Sequence, residues 1–135
     1  MFALQPIGHV RSPLTSRKQA PKQGDEGAPT AWLEFLPAFE AGLRDLQVGD
    51  DILLLTWLDR GQRETLSVHP RDDLNAPLRG VFSTRSQDRP NPVGLHRVTL
   101  VEKDGPLRYQ ALHLEAFDGT PIIDVKPVLD RLRER

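Results

Sequence analysis

The stretch of this chain best equipped for chemistry is GVFSTRSQDRPNPVGLHRV, from Gly80 to Val98. In Arg89-Pro90-Asn91-Pro92 each proline fixes its own φ and pushes the residue before it out of the helical region, so Arg89 and Asn91 are held extended. Gly94 can supply a backbone conformation that other residues avoid. The expected product is a stiff strand-to-strand connection presenting Arg85, Arg89 and Asn91 with little conformational freedom. Such display suits binding, because the ordering cost is met during folding; the plainer alternative is a structural proline turn. A second constellation is DGTPIIDVKP, from Asp118 to Pro127. On a strand starting at Ile122, alternation places Ile123 and Val125 on one face and Ile122, Asp124 and Lys126 on the other. Asp124 and Lys126 then form either a surface ion pair worth little, or an acid that accepts a proton beside a cation that steadies developing charge.

Other chemistries lack their residues. There is no Cys, hence no disulfide, thiol nucleophile or cysteine metal site. The four histidines, His9, His69, His96 and His113, lie far apart with no i, i+4 pair for a metal. No G-x-G-x-x-G, Walker-type loop or G-x-S-x-G elbow is present. The doublets Asp25-Glu26, Asp50-Asp51 and Asp72-Asp73 read as solvated turns.

The elements that must position the two constellations are mostly strands. Ten Gly and twelve Pro make about one residue in six, against roughly one in eight on average, which favours short elements joined by turns over a helical bundle. Ala31 to Phe35 alternates as a strand. PAFEAGLRDL, with Phe39, Leu43 and Leu46 at helical spacing behind Pro37, predicts a helix that Gly49 ends. Ile52 to Trp57 is a near-continuous apolar run, expected to be buried on both faces. Gly80 to Thr84, Arg97 to Val101, Tyr109 to Phe117 and Ile122 to Val125 complete the strand set. Asp104-Gly105 and Asp118-Gly119 are hairpin signals, and Val128 to Arg135 reads as a short helix. The expected fold is mainly β: a small single-domain β-barrel of six or seven strands with one or two short helices.

At 135 residues the chain suits one domain, 1–135, able to build a core without staples. No apolar run approaches the roughly 18 residues of a membrane span, and the first residues lack the order of a secretory signal, so a soluble, cytoplasmic protein is expected. Its formal charge is −1, but unevenly spread. The first 24 residues hold Arg11, Arg17, Lys18 and Lys22 and no acid, and four Arg stand against Asp88 alone between Arg79 and Arg97. A basic face can therefore oppose an acidic one. Arg11 to Pro29 is an unpatterned loop of a length usually functional or disordered.

Together, F-S-T-R-S-x-x-R-P-N-P-V-G-L and D-G-T-P-I-I-D-V-K-P resemble the signature of the TsaA/TrmO family. So do I-G-H-V-R-S-P (Ile7 to Pro13) and Ala20-Pro21-Lys22-Gln23, and the resemblance runs from about Ile7 to Pro127. It implies a β-barrel methyltransferase that uses S-adenosylmethionine, generally forms homodimers, and N6-methylates threonylcarbamoyladenosine next to the anticodon of tRNA. It needs neither a metal nor a membrane. Carried over by motif, Pro21, Lys22, Gln23, Leu58, Asp59, Arg85, Leu95, Glu115, Phe117 and Asp118 line the cofactor pocket. Asp124, Lys126 and Asn91 fall near the methyl acceptor, with Asp124 as proton acceptor and Lys126 or Arg85 holding a substrate carboxylate. The chain departs from the family pattern at Asp59, often His, and at Val128, usually aromatic, and it is expected to form a single domain without the extra C-terminal domain of some bacterial relatives. Two other readings are a methyltransferase for a small molecule and a non-catalytic S-adenosylmethionine-binding regulator.

Overall fold

The computed structural model describes residues 2–14 and 30–129. Eight strands form: β1 (Gly8–Arg11), β2 (Ala31–Phe35), β3 (Asp51–Trp57), β4 (Ser67–Val68), β5 (Arg79–Gly80), β6 (Val93–Asp104), β7 (Arg108–Leu112) and β8 (Pro121–Pro127). Six close an antiparallel barrel in the order β1-β2-β7-β6-β3-β8, and β4 and β5 make a separate two-stranded ribbon. A barrel this narrow is filled by its own inward side chains, one residue in two along each strand. Ala31, Leu33 and Phe35 of β2, Ile52, Leu54 and Thr56 of β3, and Val98 and Leu100 of β6 are all buried. Tyr109 is fully buried, meets Phe35 edge-on at 6.2 Å between ring centres, and donates its hydroxyl to Leu46 O at 3.3 Å. Leu46 follows the turn that closes this end of the barrel. Outside, Glu34 accepts from Arg11 at 2.9 Å and Arg108 at 3.0 Å, bonds whose exposure keeps their contribution modest.

Several expectations are corrected. The Pro37 segment is a 3-10 helix over Pro37–Leu43, not an α-helix: only Leu43 of its apolar residues is buried, too little to hold a longer helix against the barrel. Two further 3-10 turns occur, at Pro70–Asp72 and Val81–Ser83. The strand expected over Gly80 to Thr84 is mostly the second of these. The strand expected over Tyr109 to Phe117 stops at Leu112, where His113 takes a φ of 61°. β3 is not buried on both faces: Leu53, Leu55 and Trp57 stay partly exposed on the outside of the barrel. Asp104-Gly105 does turn a hairpin, β6 to β7, whereas Asp118-Gly119 docks on β1, Gly119 N–H donating to Val10 O at 2.7 Å. β1 was not anticipated as a strand. Residues 130–135 of the expected tail helix lie outside the described residues.

The face assignment along β8 also changes. Leu55 pairs with Asp124 while the next residue, Thr56, pairs with Ile122, so Ile123 is the extra residue of a bulge. A bulge resets alternation. Ile122 is therefore fully buried and Val125 packs on the core, while Asp124 and Lys126 share the outer face.

Candidate functional site

β6 has twelve residues, but β7 pairs with it only from Thr99 to Asp104. From Val93 to Val98 it pairs with β3 alone, so among the described residues one edge of this half has no strand beside it. Leu58 N–H donates to Pro92 O at 2.7 Å. By antiparallel alternation Gly94 and His96 then turn their backbone groups to β3, and Leu95 and Arg97 turn theirs outward. Along this edge lies a cleft of about 1340 Å³, walled by the Phe82–Asn91 loop on one side and the chain from His113 to Phe117 on the other. That exceeds the roughly 300–1,000 Å³ of a single small-ligand site.

The loop wall is rigid for reasons only partly visible beforehand. Arg89 lines the cleft, but its guanidinium is engaged by its own loop. It donates to Val81 O at 2.7 Å, Ser86 O at 2.9 Å and Thr84 O at 3.0 Å, clamping its own loop. Thr84 and Ser86 hydroxyls accept from the amides two residues on, at 3.2 and 3.1 Å. Asn91 Oδ1 accepts from Arg63 at 3.1 Å, and Arg63 also donates to Pro90 O at 2.8 Å. All three polar residues expected on this connection line the cleft, but Arg89 is held by the carbonyls of its own turn and Asn91 by Arg63. Arg85 is exposed on the cleft and makes no hydrogen bond or ion pair among the described residues.

The barrel mouth adds a pair that sequence reading passed over. Thr56, completely buried, shares a 2.8 Å hydrogen bond with His96 Nε2. Burial among protein atoms, and secondarily the charge of Arg85, lower the His96 pKa from 6.5 to about 4, so the ring is neutral at physiological pH. The only signal available was Gly94, two residues before His96: a Cβ there would overlap Thr56 Oγ1 and come within 2.8 Å of His96 Nε2. A stability consequence follows. The unfolded chain takes up this proton near pH 6.5 and the folded chain only near 4, so the unfolded state binds more protons in between and the fold weakens as pH falls through that window. Urea melts at pH 7, 5.5 and 4 should show this decline, and His96→Gln should flatten it; equal slopes in both proteins would contradict the assignment.

Of the residues anticipated for the site, Leu58, Arg85, Asn91, Leu95, Glu115 and Phe117 line the cleft. Phe117 carries the Arg60 guanidinium 4.4 Å over its ring. Asp59 is exposed beside the cleft, not on it. Asp118 accepts from Ser12 N–H at 3.0 Å, pinning a turn. Asp124 and Lys126 pair at 3.0 Å and do not line the cleft; through Leu55 of β3, Asp124 lies in one lateral row with Leu95. Pro21, Lys22 and Gln23 lie outside the described residues. Among the described residues no cluster of metal-ligating side chains occurs, and no helix is long and apolar enough to cross a membrane.

Comparison with known proteins adds independent information. The family model described as tRNA-methyltransferase O N-terminal domain matches residues 9–132. A probable S-adenosyl-L-methionine-binding protein of Archaeoglobus fulgidus is 42% identical over 94% of this chain, which spans only 34% of that relative. A protein of the same description from Methanothermobacter thermautotrophicus is 40% identical, with 92% of this chain and 88% of the relative covered. The crystal structure of TrmO from Pseudomonas aeruginosa superposes with a TM-score of 0.72 at 28% identity, covering 96% of this chain and 56% of that one. The chain thus spans about a third of the first relative and little more than half of the solved protein.

Proposed function

This chain belongs to the tRNA-methyltransferase O N-terminal domain family, and from that premise we propose that it is an S-adenosylmethionine-dependent methyltransferase whose acceptor is N6 of threonylcarbamoyladenosine beside the anticodon of tRNA. The observation that carries the reading is the cleft along the half of β6 that pairs with β3 alone among the described residues, with Arg85 exposed on its loop wall. Its groups suit the cofactor: Leu58, Leu95 and Phe117 offer apolar surface to a purine, outward backbone groups at Leu95 and Arg97 can pair with the purine's edge, and Arg85 can meet a carboxylate. When bound, S-adenosylmethionine supplies a methyl group already activated on a sulfonium. The protein then mainly has to hold the acceptor in line, which orientation provides.

The acceptor nitrogen adjoins a carbonyl and is a poor nucleophile, so removal of its proton during attack helps. Asp124 is proposed to take that proton, with Lys126, 3.0 Å away, steadying developing charge and Lys126 or Arg85 holding the substrate's carboxylate. Asn91 is proposed to stand near the acceptor, and Pro21, Lys22 and Gln23 to complete the cofactor pocket. The same reading extends to a cytoplasmic homodimer. Incubation with labelled S-adenosylmethionine and bulk tRNA, followed by nucleoside mass spectrometry, should find the methyl group on the modified adenosine. Asp124→Asn should slow transfer by about 100-fold or more while cofactor binding by calorimetry persists. Cofactor binding without label in tRNA would favour a small-molecule acceptor; no binding at all would overturn the proposal.

A further inference from the structure

The loop wall of the cleft holds an aromatic side chain out in water. Phe82 is 78% exposed, although burying such a side chain is worth roughly 1.5–3 kcal/mol. It is not loose. Its neighbour Val81 is buried and donates its N–H to Leu66 O at 2.9 Å, while Val81 O accepts from Thr84 N–H at 3.0 Å, Thr84 Oγ1 at 2.9 Å and Arg89 at 2.7 Å. The backbone that carries the ring is therefore fixed while the ring itself stays exposed. Leu66, Leu74 and Leu78 are also exposed on the excursion between β3 and β6, but of these four only Phe82 lines the cleft.

The charge around the ring is one-sided. Arg71, Arg79 and Arg85 line the same cleft. Two of its three acids already hold partners: Asp51 accepts from Arg97 and Thr99, which line the same cleft, and Asp88 accepts from Gln62 N–H at 2.9 Å. A fixed, open aromatic side chain on a cleft that also carries guanidinium groups has the chemistry of a single-stranded nucleic-acid platform, where a base stacks and adjoining phosphates meet cations. We propose that Phe82 stacks on an unpaired nucleobase of RNA, with Arg79 meeting a flanking phosphate. This rests on the reading of tRNA as acceptor and assigns that acceptor its contact surface.

The test uses the whole chain and a fluorescent tRNA anticodon stem-loop, with RNA affinity read by anisotropy and S-adenosylmethionine affinity by calorimetry. Phe82→Ala should weaken RNA binding by roughly tenfold to a hundredfold, Phe82→Trp should restore it, and neither should move cofactor affinity or the melting temperature. Unchanged RNA affinity in Phe82→Ala overturns the platform while leaving the methyltransferase reading intact. Equal loss of cofactor affinity overturns it by assigning the ring to the cofactor, and conversion of a dimer to monomer in sedimentation overturns it by assigning the ring to a second copy of the chain. A wild-type protein that binds no RNA removes both the platform and the tRNA acceptor.

Discussion

Arg89→Ala should loosen the whole loop wall of the cleft: a drop in melting temperature accompanied by a tenfold or greater loss of cofactor affinity. The guanidinium supplies the donors for three carbonyls, Val81, Thr84 and Ser86, in a turn too tight for its own amides to reach them all. Hydrogen bonds from a charged donor contribute about 1.5–3 kcal/mol each, non-additively, so removing the donor costs at least about 2 kcal/mol. Arg89→Lys should rescue little, since an ammonium cannot reproduce a planar fork spread over three acceptors. The effect on affinity is transmitted through Arg85, which the loop carries, so Arg89→Ala should cost far less affinity once Arg85 is already Ala. Calorimetry on the double-mutant cycle checks this; additive losses would mean that Arg89 acts on the ligand by another route.

Gly94→Ala should cost about 2–3 kcal/mol, and Gly94→Val more. The added Cβ would overlap Thr56 Oγ1, a fully buried atom, and lie 3.1 Å from Leu58 Cδ2 and 2.8 Å from His96 Nε2. Thr56 and Gly94 are direct cross-strand partners, so neither strand can yield without disturbing the ladder. Overpacking of this kind costs roughly 1–3 kcal/mol, and displacing His96 would leave the Thr56 hydroxyl buried without a partner, a further penalty. Gly42→Ala is the control, since its Cβ would meet nothing within 4 Å. Urea melts of both variants decide it: a Gly94→Ala protein as stable as Gly42→Ala would mean that the mouth of the barrel is looser than described.

Much of the architecture was legible because its signals are local. Alternation identified β2 to the residue, Asp104-Gly105 located a hairpin, and Pro37 opened a helical turn. Tertiary packing overrode local pattern elsewhere. The ILLLTW run reads as doubly buried, but a barrel has only one inside, so Leu53 and Leu55 face outward. Ile122 looked like a companion of Asp124 until the bulge at Ile123 reversed the alternation. In the site, Arg85, Leu95 and Phe117 were found through motif resemblance and do line the cleft. The Thr56–His96 pair escaped because its members are 40 residues apart, with only Gly94 to hint at close approach.

The sequence by itself determined that this is a β-rich chain without cysteine chemistry, whose proline-braced segment and D-x-K-P strand carry a family signature, since composition, turn residues and short motifs act over a few neighbours. Only the tertiary structure decided that Arg89 clamps its own loop, that Asp124 and Lys126 sit outside the cleft wall, and that Phe82 stands exposed on the cleft that Arg79 and Arg85 also line. Which donor reaches which acceptor, and which face a side chain takes, depends on barrel closure, strand register and a single inserted residue, and these are fixed by contacts between segments far apart in the chain.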